Sequence, residues 1–332
     1  MPFKKTGSVI INDNQYNSKF LTYGSKQIPK QGQDEKAKTK FNCILPKYRM
    51  DELLLHQKTF DEIQTVINAK RCWSKVFEEW GLQEVMKQRK NILVNLYGEP
   101  GTGKTMAAHA IAFEIQKKLV CVNYADIESK YVGETSKNLE AVFLYAKEND
   151  AILFFDEADA LLSKRVTNMS NSTDVSVNQT RSVLLTLLND YDGMVVFTTN
   201  FISNFDSAFM RRIQYHIRFE LPNQELRERL WKRYIPKKMP TDIDIETISK
   251  KYNNISGSDI SNAVLMAALK SANKGEYTVK NEMFEEAVQS IIKSKNANKQ
   301  ITDIKTVVTT KPISEEYALS QMYKMNNKSM GD

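Results

Sequence analysis

The chain has 332 residues and a formal net charge of +7, and 41% of its residues are hydrophobic. This length allows two modest domains with a real core, and this composition is ordinary for a globular protein. The sequence has no apolar run of the ~18 residues that a membrane helix needs, and the start, MPFKKTGSVIINDNQYN, lacks the apolar stretch of a secretory signal. Cys43, Cys72 and Cys121 have no metal-ligand spacing. We therefore expect a reducing, cytoplasmic location and no membrane partner.

Basic charge is concentrated at the start of the chain. Residues 1–47 contain nine lysines and three acidic residues, whereas the rest of the chain is close to neutral. SVIIN and KFLTYG in this arm could form short strands, and KQIPKQGQDEKAKTK has the composition of a linker. The arm is compatible with a solvated segment, a small adaptor region, or contact with nucleic acid or an acidic protein.

Strand-like and helical segments alternate after Tyr48. The strand-like runs are NILVNLY (91–97), LVCVNYA (119–125), AILFF (151–155), MVVFTTN (194–200) and YHIRFELP (215–222). The helical patterns cover 51–80, 104–118, 136–149 and 182–193, and the polar stretch 163–180 is predicted to be a loop. This alternation predicts an α/β fold, an αβα sandwich with a mostly parallel sheet.

The pattern after Pro222 is helical throughout. The segments are QELRERLWKRYI, DIETISKKY, GSDISNAVLMAALKSANK and NEMFEEAVQSIIKSK. The predicted organisation is a basic arm (1–47), a large αβα domain (48–222), a small all-helical domain (223–295) and a polar tail (296–332), whose EEYALSQMYKM could add one helix.

The segment GEPGTGKT has the spacing G-x-x-x-x-G-K-T between a strand-like run and a helical one. This context predicts a P-loop, because glycines let backbone N–H groups curve around phosphate oxygens and the helix N-terminus favours negative charge. Lys104 is predicted to reach the β- and γ-phosphates, and Thr105 to offer its hydroxyl to Mg²⁺. The candidate phosphate-binding residues are Gly98, Glu99, Pro100, Gly101, Thr102, Gly103, Lys104 and Thr105.

Further candidate catalytic residues follow later strand-like runs. AILFF delivers Asp156 and Glu157 to a strand end, where open α/β sheets bind ligands. Asp156 is predicted to hold Mg²⁺ through its water shell, and Glu157 to accept a proton from the attacking water. Asn200 is placed to orient that water, although asparagine is also a common turn residue. Arg211 and Arg212 are candidates for meeting transition-state charge, with an ordinary exposed arginine pair as the alternative.

These motifs, in this order, resemble those of the AAA branch of the AAA+ ATPases over about residues 48–293. GEPGTGKT is similar to the Walker A loop, ILFFDEAD to Walker B, TTN to sensor 1 and NFDSAFMRRI to the arginine-finger segment. ISGSDISNAVLMAA resembles the lid motif, in which Gly257 and Ser258 would pack on the adenine. The resemblance implies ATP and Mg²⁺ as cofactors, and a ring of identical subunits, usually a hexamer. Arg211 and Arg212 would then act on the ATP of the next subunit.

The segment SKYVGETSKNL resembles the first pore loop of AAA members that translocate proteins. Tyr131 and Val132 would face the ring channel and grip a polypeptide, and Gly133 would let the loop turn. A helix start with a buried tyrosine is the alternative. The resemblance implies a ring-forming ATPase that remodels, unfolds or disassembles a protein substrate by pore-loop pulling. The alternative is a nucleic-acid-associated AAA+ ATPase, such as a loader or a transposition or replication helper, that uses the basic arm.

The sequence departs from the family pattern at two places. Residues 51–55 are DELLL, where many members have an Asp-Ile-Gly-Gly-like run near the adenine, so the adenine contact there is open. Arg211 and Arg212 are adjacent, without the Pro-Gly spacer that many members have between their arginines, so which of them is the finger is also open. The polar stretch 163–180 is a candidate second pore loop, but its sequence is not diagnostic.

Overall fold

The computed structural model describes residues 41–86, 91–123, 127, 134–163, 172–200 and 205–308. The strands are β1 Cys43–Ile44, β2 Ile92–Gly98, β3 Leu119–Val122, β4 Ile152–Phe155, β5 Met194–Thr199 and β6 Tyr215–Phe219. They form one sheet in the order β1-β3-β4-β5-β2-β6. The neighbouring strands are parallel except β1, which pairs antiparallel with β3.

The central strands are continuous apolar runs because helices cover both faces of the sheet. The helices of this part are α1 Gln57–Arg71, α2 Leu82–Val85, α3 Lys104–Glu114, α4 Glu134–Glu148, α5 Asp159–Leu162, α6 Ser172–Asp190 and α7 Ser207–Arg212. Helices α1 and α3 supply one buried cluster with the sheet. Helices α4 to α7 supply a second cluster on the opposite face. The carboxyl ends of the parallel strands therefore remain open at one edge, between these two layers.

A helical unit follows the sheet. It contains α8 Gln224–Tyr234, α9 Ile245–Lys251, α10 Gly257–Asn273 and α11 Asn281–Val308, and we call these four helices the lid. Trp231 and Phe284 are fully buried at its centre, with ring centroids 5.9 Å apart. The α/β fold with a mostly parallel sheet and a following helical part is thus confirmed. Helix α11 continues to Val308, so the boundary drawn at residue 296 falls inside a helix.

The helix predicted over 51–80 is interrupted. A 3₁₀ turn covers Met50–Glu52, α1 begins only at Gln57, and a π-helical turn covers Lys75–Glu79. Leu53 and His56 have extended backbone angles instead. The imidazole Nε2 of His56 lies 2.9 Å from the Leu221 carbonyl oxygen, which ties this extended stretch to the chain beyond β6.

The stretch 163–180 also differs from its prediction as a loop, because α6 begins at Ser172. Ser, Thr, Asn and Val have modest helix propensity, so the composition suggested a loop. Arg181 in this helix is only 3% exposed and donates from Nη2 to the Ala160 carbonyl oxygen at 2.8 Å. A tertiary contact of this kind stabilises a helix that local propensity does not favour.

Among the described residues, no helix combines the length and apolar character that crossing a membrane requires.

Candidate nucleotide site

The P-loop connects the end of β2 to the start of α3. Gly98 has a φ of +141°, and a Cβ there would lie 2.0 Å from the Phe219 carbonyl oxygen. Gly101 has a φ of +75°, and a Cβ there would lie 2.6 Å from the Ser256 hydroxyl. Both positions therefore require glycine, for backbone conformation and for close approach. The loop presents its N–H groups beside the N-terminus of α3, where a phosphate would be stabilised.

Lys104 is buried at the base of this loop, with 8% exposure. Its Nζ donates to the carbonyl oxygens of Gly98 at 2.7 Å and Glu99 at 2.9 Å, and to Oδ1 of Asn200 at 3.1 Å. Burial lowers the pKa of the Lys104 ammonium, and the nearby carboxylates, led by Asp159, act in the opposite direction. The side chain thus connects the P-loop to the end of β5.

Asp156 lies immediately after β4 and faces the first turn of α3. The hydroxyl of Thr105 is 3.3 Å from each carboxylate oxygen of Asp156. Hydroxyl and carboxylate oxygens are the ligands that Mg²⁺ prefers. No cluster of three or more His, Cys, Asp or Glu side chains that could hold a metal occurs in the described part of the chain. This donor set fits an Mg²⁺ ion that takes its other ligands from phosphate and water.

The residues after Asp156 are tied to the end of β5. Glu157 is exposed and has a φ of +51°, and its N–H donates to the Thr198 hydroxyl at 3.0 Å. The Ala158 N–H donates to the Thr198 carbonyl oxygen at 2.9 Å. The Asn200 N–H donates to the Asp159 carboxylate at 3.1 Å. Neither Thr198 nor Asp159 was predicted as a site residue, and the position of Thr198 beside Asp156 follows from the register of β4 and β5.

A cavity of about 420 Å³ extends from the P-loop towards the lid, a volume within the range of small-molecule sites. Lys104, Asp156 and Glu157 line one end. The rest of the lining combines the leucines of residues 53–55, Leu226 and Leu230 with polar residues such as Arg233, and Gly257 and Ser258 lie beside them. The Ser258 N–H donates to the Gly101 carbonyl oxygen at 3.2 Å, so lid and P-loop are in direct contact.

Arg211 and Arg212 lie in the last turn of α7, and neither lines this cavity. Arg211 is exposed, and its Nε donates to the Ser207 carbonyl oxygen of the same helix at 3.3 Å. Arg212 donates from Nε to Oδ1 of Asn189 at 2.8 Å. The predicted pore-loop residues Tyr131, Val132 and Gly133 lie outside the described residues.

Residues 94–221 match the family described as "ATPase family associated with various cellular activities (AAA)". A 26S proteasome regulatory subunit 8 homolog from Encephalitozoon cuniculi is 33% identical over 243 residues, which are 70% of this chain and 59% of that protein. The homolog from Schizosaccharomyces pombe is 32% identical over 247 residues, 71% of this chain and 59% of the relative. The proteasome-activating nucleotidase of Aeropyrum pernix is 32% identical over 206 residues, 60% of this chain and 50% of the relative.

The chain belongs to the AAA family of ATPases. The family match begins within β2 and ends at Leu221, so it includes the P-loop, Asp156, Glu157 and Asn200. This AAA chain spans about three fifths of the length of the first proteasome relatives that it matches. The recognition of the family from its motifs is confirmed, and nucleotide binding is the property that membership implies.

Proposed function

We propose that this chain is an ATP-hydrolysing, ring-forming AAA protein that remodels, unfolds or disassembles a protein substrate. The observation that carries the ATPase part is the meeting of Lys104, Asp156, Glu157 and Asn200 at one end of a single cavity. These residues come from three different strand ends, and a lysine, two acids and an amide together match the needs of phosphoryl transfer to water.

Each side chain has a role in this proposal. Lys104 neutralises charge on the β- and γ-phosphates, and Thr105 and Asp156 hold Mg²⁺ directly or through its water shell. When bound, the metal ion neutralises charge on the phosphate oxygens. Glu157 accepts a proton from the attacking water, and Asn200 orients that water. Residues 53–55, with Gly257 and Ser258, form the end that receives the adenine.

Ring formation is the second part of the proposal. Arg211 and Arg212 lie outside the cavity of their own chain, which suits a role at the ATP of the next subunit in a hexamer. Alanine variants of each arginine, mixed with Glu157→Gln subunits, test this. Restored hydrolysis in a mixture would show that one subunit supplies the arginine and the other the acid. Equal inactivity of all mixtures would place the arginine in its own subunit's site.

Action on a protein is the third part. The named relatives are proteasome regulatory subunits and a proteasome-activating nucleotidase, and the segment around Tyr131 resembles a pore loop. The test is a pull-down with Glu157→Gln, which should retain ATP and trap the protein substrate. Tyr131→Ala should keep basal phosphate release and lose remodelling of the trapped protein. Remodelling that survives Tyr131→Ala would contradict pore-loop pulling.

The lysine-rich arm favours a second candidate, an AAA+ ATPase that acts with nucleic acid. That function predicts salt-dependent DNA binding and DNA-stimulated phosphate release, both lost when residues 1–47 are deleted. Absence of both effects in the full chain would leave the protein-remodelling proposal. A cytoplasmic location remains a prediction in either case.

A further inference from the structure

Thr198 is bonded to both acidic residues of the site. The register of β4 and β5 pairs Phe155 with Phe197, which makes Asp156 and Thr198 the next cross-strand neighbours. Thr198 is 1% exposed, and its hydroxyl donates to Oδ1 of Asp156. The same hydroxyl oxygen accepts the Glu157 N–H at 3.0 Å. One buried oxygen therefore joins the carboxylate of one acid to the backbone of the other.

The backbone of Glu157 is in a conformation that needs such support. Its φ of +51° is in the left-handed region, which a non-glycine residue adopts at a cost of roughly 1 kcal/mol or more. The Thr198 hydroxyl accepts the Glu157 N–H, and the Thr198 carbonyl accepts the next N–H, that of Ala158, at 2.9 Å. Two consecutive amides are thereby held by one residue of β5. This fixes the direction in which the exposed Glu157 side chain leaves the backbone.

We propose that Thr198 is a positioning residue for ATP hydrolysis, through its hydroxyl bonds to the Asp156 carboxylate and the Glu157 backbone. The inference rests on the proposed ATPase function. Thr198 contacts neither phosphate nor water in this role and acts through the two acids. Its loss affects the chemical step more than nucleotide binding, because Lys104 and the P-loop do not depend on the hydroxyl.

The test compares three variants of the full chain. Thr198→Val keeps the size and removes the hydroxyl, and Thr198→Ser restores the hydroxyl. Ser249→Ala is the control, because it also removes a buried hydroxyl: Ser249 is 0% exposed, lies in α9 and is not among the residues that line the cavity. Phosphate release is measured against ATP and against Mg²⁺, and binding with a fluorescent ATP analogue.

Thr198→Val should lower kcat about 10- to 100-fold, the range that a lost hydrogen bond to a charged group supports, with KM and analogue affinity within about threefold. The Mg²⁺ concentration for half-maximal activity should rise. Thr198→Ser should return kcat to within about threefold of the original, and Ser249→Ala should change it less than twofold. If Thr198→Val does not fold, Thr198→Ala is assayed with the same expectation.

Three outcomes would overturn the inference: an unchanged kcat in the Thr198→Val or Thr198→Ala variant, a Thr198→Ser variant as slow as Thr198→Val, or losses of affinity and kcat in parallel. The last two would indicate that Thr198 serves packing alone. Other results would contradict the proposed ATPase function itself. In that case the unaltered protein would release no phosphate, or the Glu157→Gln variant would release as much phosphate as the unaltered protein.

Discussion

The two ends of the cavity are built from different interactions. At the phosphate end, Lys104 bonds to the P-loop and to Asn200, and the Asn200 N–H bonds to Asp159. At the proposed adenine end, the leucines of residues 53–55 and of the lid supply apolar side chains, with polar residues such as Arg233 among them. The direct bond between lid and P-loop is the Ser258 N–H donating to the Gly101 carbonyl at 3.2 Å.

Substitutions at the two ends should therefore differ in their effects on stability and on nucleotide affinity. The polar network holds the side chains of the phosphate end in fixed positions, so it pre-organises this end for charge stabilisation. The adenine end depends on how the lid packs against the sheet, so a change there should alter stability and nucleotide affinity together. Removing a charge at the phosphate end should instead change nucleotide affinity far more than the stability of the nucleotide-free protein.

The largest expected effect comes from Lys104→Ala. Nucleotide affinity should fall about 100-fold or more, because a charge-assisted hydrogen bond contributes about 1.5–3 kcal/mol and Lys104 is placed to meet two phosphates. Burial lowers the pKa of Lys104 in the fold, so its charge is already a cost without a nucleotide. The nucleotide-free Tm should therefore shift by no more than about 4 °C. Calorimetry of nucleotide binding and of unfolding measures both quantities.

Lys147→Ala is the control, since Lys147 is exposed, pairs with Asp192 at 3.4 Å and is not among the residues that line the cavity. It should leave affinity unchanged. If Lys104→Ala lowered the stability of the nucleotide-free protein as strongly as it lowered nucleotide affinity, the two ends would not differ in the way proposed.

Gly101→Ala tests the joint between P-loop and lid. The new Cβ would lie 2.6 Å from the Ser256 hydroxyl and 2.7 Å from the Ser258 Cβ, at a backbone φ of +75°. We expect a loss of about 2–4 kcal/mol in the free energy of unfolding, from strain and displacement of the lid, together with weaker nucleotide binding. Denaturant titration and binding of a fluorescent ATP analogue measure the two effects.

Gly275→Ala separates strain from displacement. Gly275 has a similar φ of +68°, but a Cβ there meets nothing within 4 Å. Its cost should be about 1 kcal/mol, with unchanged nucleotide affinity. Equal stability losses in the two variants would mean that the close approach of lid and P-loop contributes nothing.

Lys295→Met tests whether an ion pair from α11 stabilises the start of α10. Lys295 pairs with Asp259, which also accepts the Ser256 N–H at 2.7 Å in the capping box at the start of α10. The Asp259 side chain is 10% exposed, but that of Lys295 is 38% exposed, so solvent screens the pair. We expect a loss of about 1 kcal/mol or less and a small fall in affinity, because α10 carries Gly257 and Ser258.

The pair of Lys270 and Glu286 serves as the control, with side chains 41% and 56% exposed. Lys270→Met should change stability by less than about 0.5 kcal/mol. If Lys295→Met is equally neutral, the ion pair between Lys295 and Asp259 does not stabilise the lid motif.

The sequence predicted the phosphate end better than the adenine end, for a physical reason. The P-loop, Asp156 and Asn200 each follow a strand with a strong apolar pattern, and parallel strands bring their carboxyl ends to one edge. The wall at residues 53–55 was predicted as helix, since Leu-rich sequence has helical propensity and the tie between His56 and Leu221 joins residues far apart in the chain.

Thr198 was missed for another reason. In the TTN segment only the last residue, Asn200, was predicted as a site residue. Threonine is common in strands because it is β-branched, so Thr198 gave no sign of a further role. Only the register of β4 and β5 places its hydroxyl beside Asp156. Arg181 in α6 likewise makes a buried contact with the Ala160 carbonyl that composition does not reveal.

The smallest expected effect is on the pH dependence of stability, and it comes from buried histidines. His109 is a 5% exposed residue of α3, the helix that follows the P-loop, and its Nδ1 accepts the Lys47 N–H at 3.3 Å. Burial lowers its pKa from the ordinary 6.5. The unfolded chain therefore binds this proton more tightly, and stability should fall as the pH drops from about 6.5 through the folded pKa. Burial lowers the pKa of His216 as well, with the same sign.

His109→Gln should reduce the difference in Tm between pH 7.5 and pH 5.5, because glutamine can still accept the Lys47 N–H but takes up no proton. His216→Gln should remove a further part, and the double variant should show the smallest pH dependence. An undiminished difference in the double variant would contradict the assignment of the acid sensitivity to these two buried histidines.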